Sequence, residues 1–334
     1  MAKPRRLHNP PNPFANTEID WDVPVDTKLE VFEERAKSIV AENRSPDIGF
    51  RYSVNPYRGC SHGCIYCYAR PSHQYLGFGA GTDFDQKLVV KVNAPELLER
   101  RLKRRSWARE PIAFSGNTDC YQPLEASYEL TRRCLEVCLA AHTPVVLITK
   151  GTLIRRDIPL LSELASRVGC HVHVSIAFAD DAVRRTFDPY APPVNARFET
   201  VRQLAEAGVP VGVGVAPVLP GINDAMIPEI LTRARDAGAR TAFMTLTRLP
   251  AEVRPYFLEK VRAELPTMAA KVENGIRDLR GGAINEPRFG RRMRGVGPRW
   301  QVIEQLFQLN MEKLGLRASE LPVAKPRGQT SMVF

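Results

Sequence analysis

Residues 55–71, NPYRGCSHGCIYCYARP, place three of the seven cysteines of the chain within eight positions, at Cys60, Cys64 and Cys67. In a reducing compartment, cysteines clustered in this way indicate metal or redox chemistry rather than a disulfide framework. A structural zinc ion takes four tetrahedral ligands, usually from two pairs, and no second cysteine pair follows at that spacing. His62 stands too close to Cys60 to complete a tetrahedron easily, so zinc is the weaker metal interpretation.

The missing fourth ligand is the informative part of this spacing. Electron-transfer iron–sulfur clusters take four protein thiolates, so three would leave one iron of a [4Fe–4S] cluster without a protein ligand. An open metal position is typical of a site that binds a substrate or a cofactor. The spacing therefore favours an iron–sulfur cluster with chemistry at its open iron.

Length, composition and charge are those of a globular protein with an excess of cations. The 334 residues are 44% hydrophobic and 25% charged, which is ordinary for one large domain or two smaller ones. We find no apolar run of about 18 residues that could span a membrane, and the N-terminus, MAKPRRLHNPPNPF, lacks the apolar core of a signal peptide. We therefore expect a soluble, cytoplasmic protein without membrane contact. The net charge of +10 favours nucleic acid, although arginine-rich chains can be basic without such a partner.

Short apolar runs alternate with helix-length amphipathic stretches from Gly49 onward. This alternation predicts βα units and a parallel sheet, and about six units can be counted. An open parallel sheet and a six-unit partial barrel both fit, since a closed barrel needs about eight units. Gly208 and Gly238 each follow a helical pattern and precede a strand run, as a C-terminal helix cap does. The predicted strands are YSVNP, PIAFS, PVVLIT, HVHVSIAF, VPVGVGVAP and RTAFMTL.

Three regions follow from this pattern. Residues 1–48 are rich in proline and charge and are predicted to form an N-terminal arm, with one short helix over LEVFEERAKSIVAEN at residues 29–43. Residues 49–266 hold the βα units. Residues 267–334 are predicted to be a C-terminal extension that packs on the barrel and contains a helix near PRWQVIEQLFQLNMEKLG.

The three-cysteine motif, with an aromatic residue before the last cysteine, resembles the signature of radical S-adenosylmethionine (SAM) enzymes. Over about residues 45–310 the chain is also similar to the subgroup related to spore photoproduct lyase, often labelled DNA repair photolyase-like. The resemblance implies a TIM-like partial (β/α)6 barrel, a [4Fe–4S] cluster on Cys60, Cys64 and Cys67, and SAM at the open iron. It also implies a flavodoxin- or ferredoxin-like electron donor. The similar segments are YRGCSHGCIYCYARP, GNTDCYQPLE, LITKGTLIRRD, VSIAF, APVLPGIND and RLPAEV.

Polar residues at the ends of the predicted strands are the candidates for contacts to SAM, because active sites of such barrels lie at the C-terminal strand ends. By resemblance, Thr118 and Asp119 stand where the family holds the SAM amino group. Lys150 follows PVVLIT and is placed to meet the SAM carboxylate as a point charge. The weaker candidates, for the carboxylate or ribose, are Ser175 and Arg197, and the candidate for the adenine is Tyr66.

Several of these candidates have an explanation that needs no cofactor. Asp119 could cap a following helix, and Lys150 could be a solvated loop residue. Ser175 could be a buried serine bonded to the backbone. Arg197 stands at the start of a predicted helix and could be a surface arginine.

Two tyrosines bear on the reaction. In spore photoproduct lyase the tyrosines that match Tyr66 and Tyr68 are tied to radical relay, so the resemblance implies a catalytic role for both. That lyase also uses a cysteine shortly before the aspartate that matches Asp119. No cysteine stands there in this chain, and Cys120 follows the aspartate instead. This departure argues against the lyase reaction itself.

The predicted function is that of a radical SAM enzyme that cleaves SAM reductively to a 5′-deoxyadenosyl radical, with DNA or RNA as candidate partners. The basic segments at residues 100–109 and 290–300 pair cationic side chains with tryptophan, as nucleic-acid grooves do. A solvated helix face is the default explanation of the first segment, because that segment is mostly helical. Two alternatives stay open: an enzyme that modifies a peptide or small metabolite, and a non-catalytic iron–sulfur or zinc protein that binds nucleic acid and senses redox state.

Overall fold

Strands and helices alternate along residues 29–319, which with residue 322 are the part of the chain that the computed structural model describes. The strands are β1 (Glu30–Glu34), β2 (Val40–Glu42), β3 (Tyr52–Val54), β4 (Tyr57–Arg58), β5 (Lys87–Lys91), β6 (Ile112–Phe114), β7 (Val145–Thr149), β8 (Cys170–Ser175), β9 (Val211–Val218), β10 (Thr241–Leu246) and β11 (Arg317–Ala318). The α-helices are α1 (Asp83–Gln86), α2 (Ala94–Leu102), α3 (Glu125–Tyr128), α4 (Leu130–Ala140), α5 (Ile158–Arg167), α6 (Asp181–Phe187), α7 (Val194–Glu206), α8 (Ile227–Asp236), α9 (Val253–Glu264), α10 (Ala269–Asp278) and α11 (Gly297–Leu314). Turns of 3-10 helix lie at Arg70–Leu76, Thr152–Asp157 and Asp224–Met226. In this described part of the chain, none of the helices has the length and apolar character needed to cross a membrane.

One sheet of eight strands carries the βα units. Its order is β11-β10-β9-β8-β7-β6-β3-β2, and every neighbouring pair is parallel except β2 with β3. The six strands between the two edges are the six runs predicted from the sequence, and helices connect them along the chain. This mixed α/β architecture is a partial (β/α)6 barrel, which replaces the alternative of a flat open sheet.

Burial explains why the strands of this sheet are apolar. Every residue of β3 and β6, and most of β7, β8 and β9, are buried, as is usual for parallel sheets covered by helices. Helix α8 packs its apolar face inward through Ile230 and Leu231. Gly208 and Gly238, after α7 and α8, have φ of +74° and +97°, a left-handed conformation that glycine adopts without strain. The glycine caps predicted from the sequence are confirmed.

The helix predicted over residues 29–43 is wrong, because this segment forms β1 and β2. Strand β1 pairs in parallel with β5 along its whole length, and β2 pairs antiparallel with β3. Between them, the side-chain amide of Asn93 bonds both the N–H and the carbonyl of Ala36, at 2.9 and 3.0 Å. Pairing with β5 therefore outweighs the local helical propensity. Residues 1–28 of the predicted arm lie outside the described residues.

The C-terminal extension packs on the strand and helix layers through several elements. Helix α11 packs against α8 and buries Trp300, Ile303 and Phe307, and β11 adds a parallel strand beside β10. Helices α9 and α10 share one hydrophobic cluster, so the predicted boundary at residue 266 falls between two helices in contact. The domain boundaries stay predictions. Residues 320–321 and 323–334 lie outside the described part.

A loop of the C-terminal extension, residues 289–294, joins the two ends of the series of parallel strands, and we call it the strap. At the end of β10, the Leu246 N–H donates to the Met293 carbonyl at 3.0 Å. In the turn before β3, the Asp47 carboxylate accepts the Gly290 N–H and the Arg292 Nε–H at 2.5 Å each. The strap therefore connects the sixth parallel strand to the segment that precedes the first.

Candidate active site

The loop that carries the three cysteines, residues 59–69, is held from both sides by backbone hydrogen bonds. Arg70, fully buried just after the loop, donates to the Cys64 carbonyl at 2.8 and 3.1 Å and pairs with Asp85 at 2.9 Å. We call residues 59–69 the cysteine loop. Its backbone contacts join the Cys60 N–H to the Phe84 carbonyl (2.9 Å), the Ile65 N–H to the Phe187 carbonyl (3.0 Å) and the Tyr190 N–H to the His62 carbonyl (3.2 Å).

The thiols of the cysteine loop are free and lie inside the protein. Cys60 and Cys64 are buried and Cys67 is half-buried. Cys60 and Cys67 belong to one packed cluster with Ala69 and Phe84. Burial raises the pKa of the Cys64 thiol, and it raises the pKa of the Cys67 thiol to about 11. The thiols of Cys64 and Cys67 are therefore protonated until a metal replaces the proton.

This donor set suits a [4Fe–4S] cluster with one open iron. Such irons prefer thiolate ligands, and the cysteine loop supplies three from one rigid segment. Among residues 29–319, no three histidine, cysteine, aspartate or glutamate side chains converge on a position for a single metal ion. A cluster has a different requirement, because each thiolate binds a different iron. The other cysteines, all buried in the main core, are Cys120, Cys134, Cys138 and Cys170.

Lys150 brings a cation to the cysteine loop. It follows β7 directly, and its Nζ lies 5.6 Å from the centroid of the Tyr66 ring. Burial alone would lower the pKa of Lys150, but the nearby Cys64 and Asp188 outweigh burial and raise it. Within the described residues, the structure records no hydrogen bond or ion pair for this Nζ. Its three N–H donors are therefore available to a ligand, unlike those of a lysine in a solvated loop.

Asp119 joins two strands to the cysteine loop. Its carboxylate lies 3.4 Å from the Nδ1 of His62, which is itself buried. Burial would raise the pKa of Asp119, but His62 and the Thr149 hydroxyl outweigh burial and hold that pKa well below its usual range. Contact between Asp119 and SAM stays a prediction. The other donors to the Asp119 carboxylate are the Thr149 hydroxyl (2.5 Å) and the backbone N–H groups of Lys150 (2.7 Å) and Tyr121 (2.9 Å).

Thr118 and Ser175 are buried at the strand ends near these groups. The Thr118 hydroxyl donates to the Tyr57 carbonyl at 3.0 Å, so its proton is already used within the protein. The Ser175 carbonyl accepts a hydrogen bond from Arg197 at 3.1 Å. Both hydroxyl oxygens can still accept a hydrogen bond, and their contacts to SAM stay predictions.

Asp188 is a buried carboxylate that the sequence analysis missed. It is fully buried, accepts a hydrogen bond from the Tyr66 hydroxyl, and faces the Arg197 guanidinium at 3.3 Å. Burial would raise the pKa of Asp188, but the cations of Lys150 and Arg197 outweigh burial and lower it. Arg197 therefore belongs to an interior network, and the alternative of a surface arginine is wrong. The surrounding FDPY, residues 187–190, contains no motif that marks this role.

Tyr68 lies where the cysteine loop meets solvent. Its exposed fraction is 48%, and its hydroxyl donates to the Gly116 carbonyl at 2.8 Å. Arg248, which follows β10, places its guanidinium carbon 5.3 Å from the centroid of the Tyr68 ring. Tyr66, on the other side of Cys67, is buried. We call the surface region formed by Tyr68, Gly116 and Arg248 the mouth.

Comparison with known proteins gives both sequence and structural matches. A family model described as the radical SAM superfamily matches residues 54–234. The "Uncharacterized protein Rv2578c" of Mycobacterium tuberculosis is 41% identical over 223 residues, which cover 65% of this chain and 66%, slightly under two thirds, of the relative. The "Radical SAM Nalpha-GlyT isomerase" of Pseudomonas phage M6 is 25% identical over 171 residues, 51% of this chain and 33% of that protein.

The structural matches share the fold. Spore photoproduct lyase complexed with dinucleoside spore photoproduct gives a TM-score of 0.63 at 15% identity, over 86% of this chain and 81% of that one. A variant of the same lyase with bound AdoMet and dinucleoside spore photoproduct gives 0.62 at 16% identity, over 88% and 82%. At these identities the likeness shows the fold alone, and it confirms the partial (β/α)6 barrel.

Proposed function

Because the chain belongs to the radical SAM superfamily, whose cofactors are a [4Fe–4S] cluster and SAM, we propose that it is an enzyme that cleaves SAM reductively and acts on a nucleic acid or nucleotide-containing molecule. The observation that carries the proposal is the position of three free thiols and Lys150 together at the strand ends. Active sites of βα barrels lie at this side of the sheet.

The residues have separate roles in this proposal. Cys60, Cys64 and Cys67 hold the cluster, and Lys150 binds the SAM carboxylate through its free N–H donors. When bound, the cluster and SAM would supply radical chemistry: one electron from the reduced cluster would cleave SAM into methionine and a 5′-deoxyadenosyl radical able to abstract hydrogen from the substrate. The protein contributes position and exclusion of water, because a cofactor carries the difficult chemistry and the chain orients it. A flavodoxin- or ferredoxin-like protein supplies the electron.

Asp119 and Asp188 position the cofactor-binding side chains. Asp119 accepts a hydrogen bond from the backbone N–H of Lys150 and faces His62 of the cysteine loop. It therefore fixes the position of Lys150 relative to the cysteine loop. Asp188 holds the Tyr66 hydroxyl and faces Arg197. In the proposal, Thr118 and Asp119 face the SAM amino group. The contacts assigned to the carboxylate, ribose or adenine are those of Ser175, Arg197 and Tyr66.

Tyr68 is the tyrosine that the proposal places nearest to the substrate. It is half exposed at the mouth, whereas the Tyr66 hydroxyl is bonded to the buried Asp188. Both stay candidates for the radical relay implied by the resemblance. Cys120 is fully buried in the main core, with the Ser115 hydroxyl bonded to its N–H. Its burial agrees with the view that it does not replace the hydrogen-donor cysteine of spore photoproduct lyase.

The substrate class rests on charge and on the relatives. The net charge of +10 favours a polyanionic partner. The similar solved structures hold a dinucleoside spore photoproduct, and the phage relative carries the name Nalpha-GlyT isomerase. These ligands and names belong to those proteins, and for this chain the dinucleoside ligands support nucleic acid over a peptide or small metabolite.

The test is SAM cleavage by the reconstituted protein. We would assemble the cluster anaerobically with iron and sulfide, add dithionite and SAM, and measure 5′-deoxyadenosine. The wild type should form it, and Cys64→Ala should not. Cys138→Ala is the matched control, because Cys138 is equally buried but lies on α4 in the main core. The control should keep both the cluster and the product.

The same assay separates the alternatives. Stimulation of product formation by DNA or RNA supports the proposed substrate class. Product that nucleic acid leaves unchanged would favour a peptide or small metabolite. A spectroscopically intact cluster without any 5′-deoxyadenosine would favour the non-catalytic redox sensor and would contradict the enzyme proposal.

A further inference from the structure

We propose that Arg248 is a phosphate-binding residue at the mouth, where it grips a phosphate of single-stranded nucleic acid or of a free nucleotide whose base faces Tyr68. The inference rests on the proposed function and names the part of the site that recognises the substrate. It assigns a binding contact to a residue that neither the cysteine motif nor the strand-end candidates include.

The first step is the position of Arg248. It stands two residues after Leu246, the last residue of β10, so it lies at the strand ends like Lys150. Its guanidinium carbon is 5.3 Å from the ring centroid of Tyr68, and Tyr68 follows Cys67 directly. A group bound by Arg248 is therefore beside the cysteine loop that holds the three thiols.

The mouth is positively charged. Arg292 of the strap is also nearby, but it is paired with Asp47 at 2.5 Å and its charge is balanced. Besides its position over the Tyr68 ring, Arg248 has a weak hydrogen bond from Nη1 to the Met293 sulfur at 3.9 Å, and among the described residues it forms no ion pair. Burial lowers the pKa of Arg248 and Arg292 lowers it further, while Tyr68 and Asp47 raise it in part. The mouth thus contains a guanidinium without an ion-pair partner among the described residues, and an anion would stabilise it.

The third step is the rigidity of this guanidinium's surroundings. Arg280, 7% exposed, donates to the Thr247 carbonyl at 2.7 Å, next to Arg248. It also donates to carbonyls of the strap, so the strand end and the strap form one unit. A binding group held by rigid neighbours loses less conformational entropy when it binds. The strap carbonyls that accept from Arg280 are those of Arg291 (3.3 Å), Arg292 (3.0 Å) and Arg294 (2.8 Å).

The fourth step is the chemical class of the ligand. Guanidinium groups match phosphate oxygens in geometry and charge, and bases stack on exposed aromatic rings in proteins that bind single strands. Tyr68 is half exposed, and Phe289 of the strap is 58% exposed with the Arg292 guanidinium 4.4 Å from its ring centroid. Enzymes that do chemistry on a base take it out of the stack. The mouth therefore fits a nucleotide whose phosphate meets Arg248 and whose base points inward.

The experiment compares Arg248→Gln with Arg240→Gln in the full-length protein. Arg240 is exposed and directly precedes β10, so it loses the same charge at the opposite end of the same strand. Binding of a short fluorescein-labelled single-stranded DNA oligonucleotide is followed by anisotropy over a range of salt concentrations. Arg248→Gln should bind about tenfold more weakly, with a salt slope smaller by about 0.7. Arg240→Gln should bind within about twofold of the wild type.

Arg248→Lys controls for folding and for charge. It keeps the positive charge and should recover part of the affinity, and its thermal midpoint shows whether the site is intact. Competition with thymidine monophosphate and with thymidine identifies the source of the phosphate. If the oligonucleotide binds only weakly and thymidine monophosphate, but not thymidine, displaces it, the site would be assigned to a free nucleotide. Equal weakening in both glutamine variants, or no binding of either probe, would overturn the inference.

Failure of the inference can be told apart from failure of the proposed function. Formation of 5′-deoxyadenosine by the wild type without nucleic acid tests the cofactor chemistry alone. A wild type that cleaves SAM but binds neither probe would reject the role of Arg248 and keep the enzyme. A wild type that binds the oligonucleotide through Arg248 but forms no product would reject the enzyme and keep the binding site.

Discussion

At the residue scale, Lys150 is a half-buried cation whose charge is stabilised by the nearby Asp188 carboxylate. An ammonium without a hydrogen-bond partner is costly to bury, and here the charge of the nearby Asp188 carboxylate compensates. A SAM carboxylate would give this ammonium a direct partner. Its charge is therefore maintained before the ligand arrives, which favours recognition over folding as its role.

We expect Lys150→Met to bind SAM at least about tenfold more weakly, because a hydrogen bond to a charged group contributes about 1.5–3 kcal/mol. Lys150→Arg keeps the charge and should fall between the variant and the wild type. Titration calorimetry on the anaerobically reconstituted proteins gives the dissociation constants. Iron content and the ultraviolet–visible spectrum show whether the cluster is intact. Unchanged SAM affinity in Lys150→Met would show that the carboxylate is bound elsewhere.

Lys150 and Asp188 show which single residues a sequence can reveal. The position of Lys150 at the strand ends could be predicted, because it directly follows a strand run and the ends of parallel strands meet on one side of a sheet. Asp188 could not, because its partner Tyr66 lies 122 positions away and the contact exists only in the folded chain. The three cysteines were the easiest, since their spacing is local.

At the scale of elements, the cysteine loop depends on backbone conformations that only glycine adopts without strain. Gly59, which precedes the first cysteine, has φ of +77°. A Cβ atom there would lie 2.8 Å from the Phe84 carbonyl oxygen and 2.9 Å from the His73 ring. Gly77, after the 3-10 helix, has nearly the same φ of +76°, but a Cβ there meets nothing within 4 Å.

We expect Gly59→Ala to impair assembly of the cluster and Gly77→Ala to leave it unchanged. Both variants carry the backbone strain of a left-handed alanine, about 1–2 kcal/mol. Only Gly59→Ala adds a clash with backbone, so the difference between them measures the crowding at the loop. Iron and sulfide per chain after reconstitution, with urea unfolding of both apoproteins, provide the measurement. Equal iron content in the two variants would contradict the role assigned to Gly59.

The error at residues 29–43 shows why element type is harder to predict than the fold. The residues of β1 are mostly exposed, so no buried stripe marks them as a strand. Strand β5, with which β1 pairs, was not predicted either, and the pairing supplies the hydrogen bonds that a helix would have made internally. The six barrel strands were predictable because burial on both faces makes each a short apolar run.

At the scale of the whole molecule, Arg280 holds the strap to the barrel through four carbonyl oxygens. We expect Arg280→Met to destabilise the protein by about 2–4 kcal/mol, because these acceptors lose a charged, buried donor. Arg277→Met is the control, since Arg277 is about half exposed and pairs with Glu273 on the surface. Urea unfolding and limited proteolysis of the strap test both. Comparable stability of the two variants would show that Arg280 does not secure the strap.

The pH dependence of stability should reflect two neighbouring histidines, of which His173 is buried and His171 is half-buried. The rings of His171 and His173 lie 4.4 Å apart, and their Nε2 atoms meet the hydroxyls of Thr241 and Ser319 at 3.0 and 2.6 Å. Burial lowers the pKa of His171 to about 4, and burial together with His171 lowers the pKa of His173 to about 3. The unfolded chain takes up these protons near pH 6.5. Between about pH 6.5 and 4 the unfolded state therefore binds more protons, and stability falls as the pH falls.

We expect the free energy of unfolding to decrease below about pH 6.5 by up to about 1.4 kcal/mol per pH unit for each histidine. His171→Gln removes one of these groups, so its stability should depend less on pH than that of the wild type. Urea unfolding of both proteins at several pH values between neutrality and about pH 5 gives the slopes. Parallel slopes would show that His171 does not carry the effect.

The strap is synthesised much later than the segment to which it binds. Asp47 and Gly290 are 243 positions apart, so the ribosome makes the first long before the second. At about 5–20 residues per second, roughly 10 to 50 seconds separate them. The cysteine loop is synthesised early in that interval, before the strap exists. The two ends of the series of parallel strands are therefore joined only late in translation, well after the cysteine loop has been made.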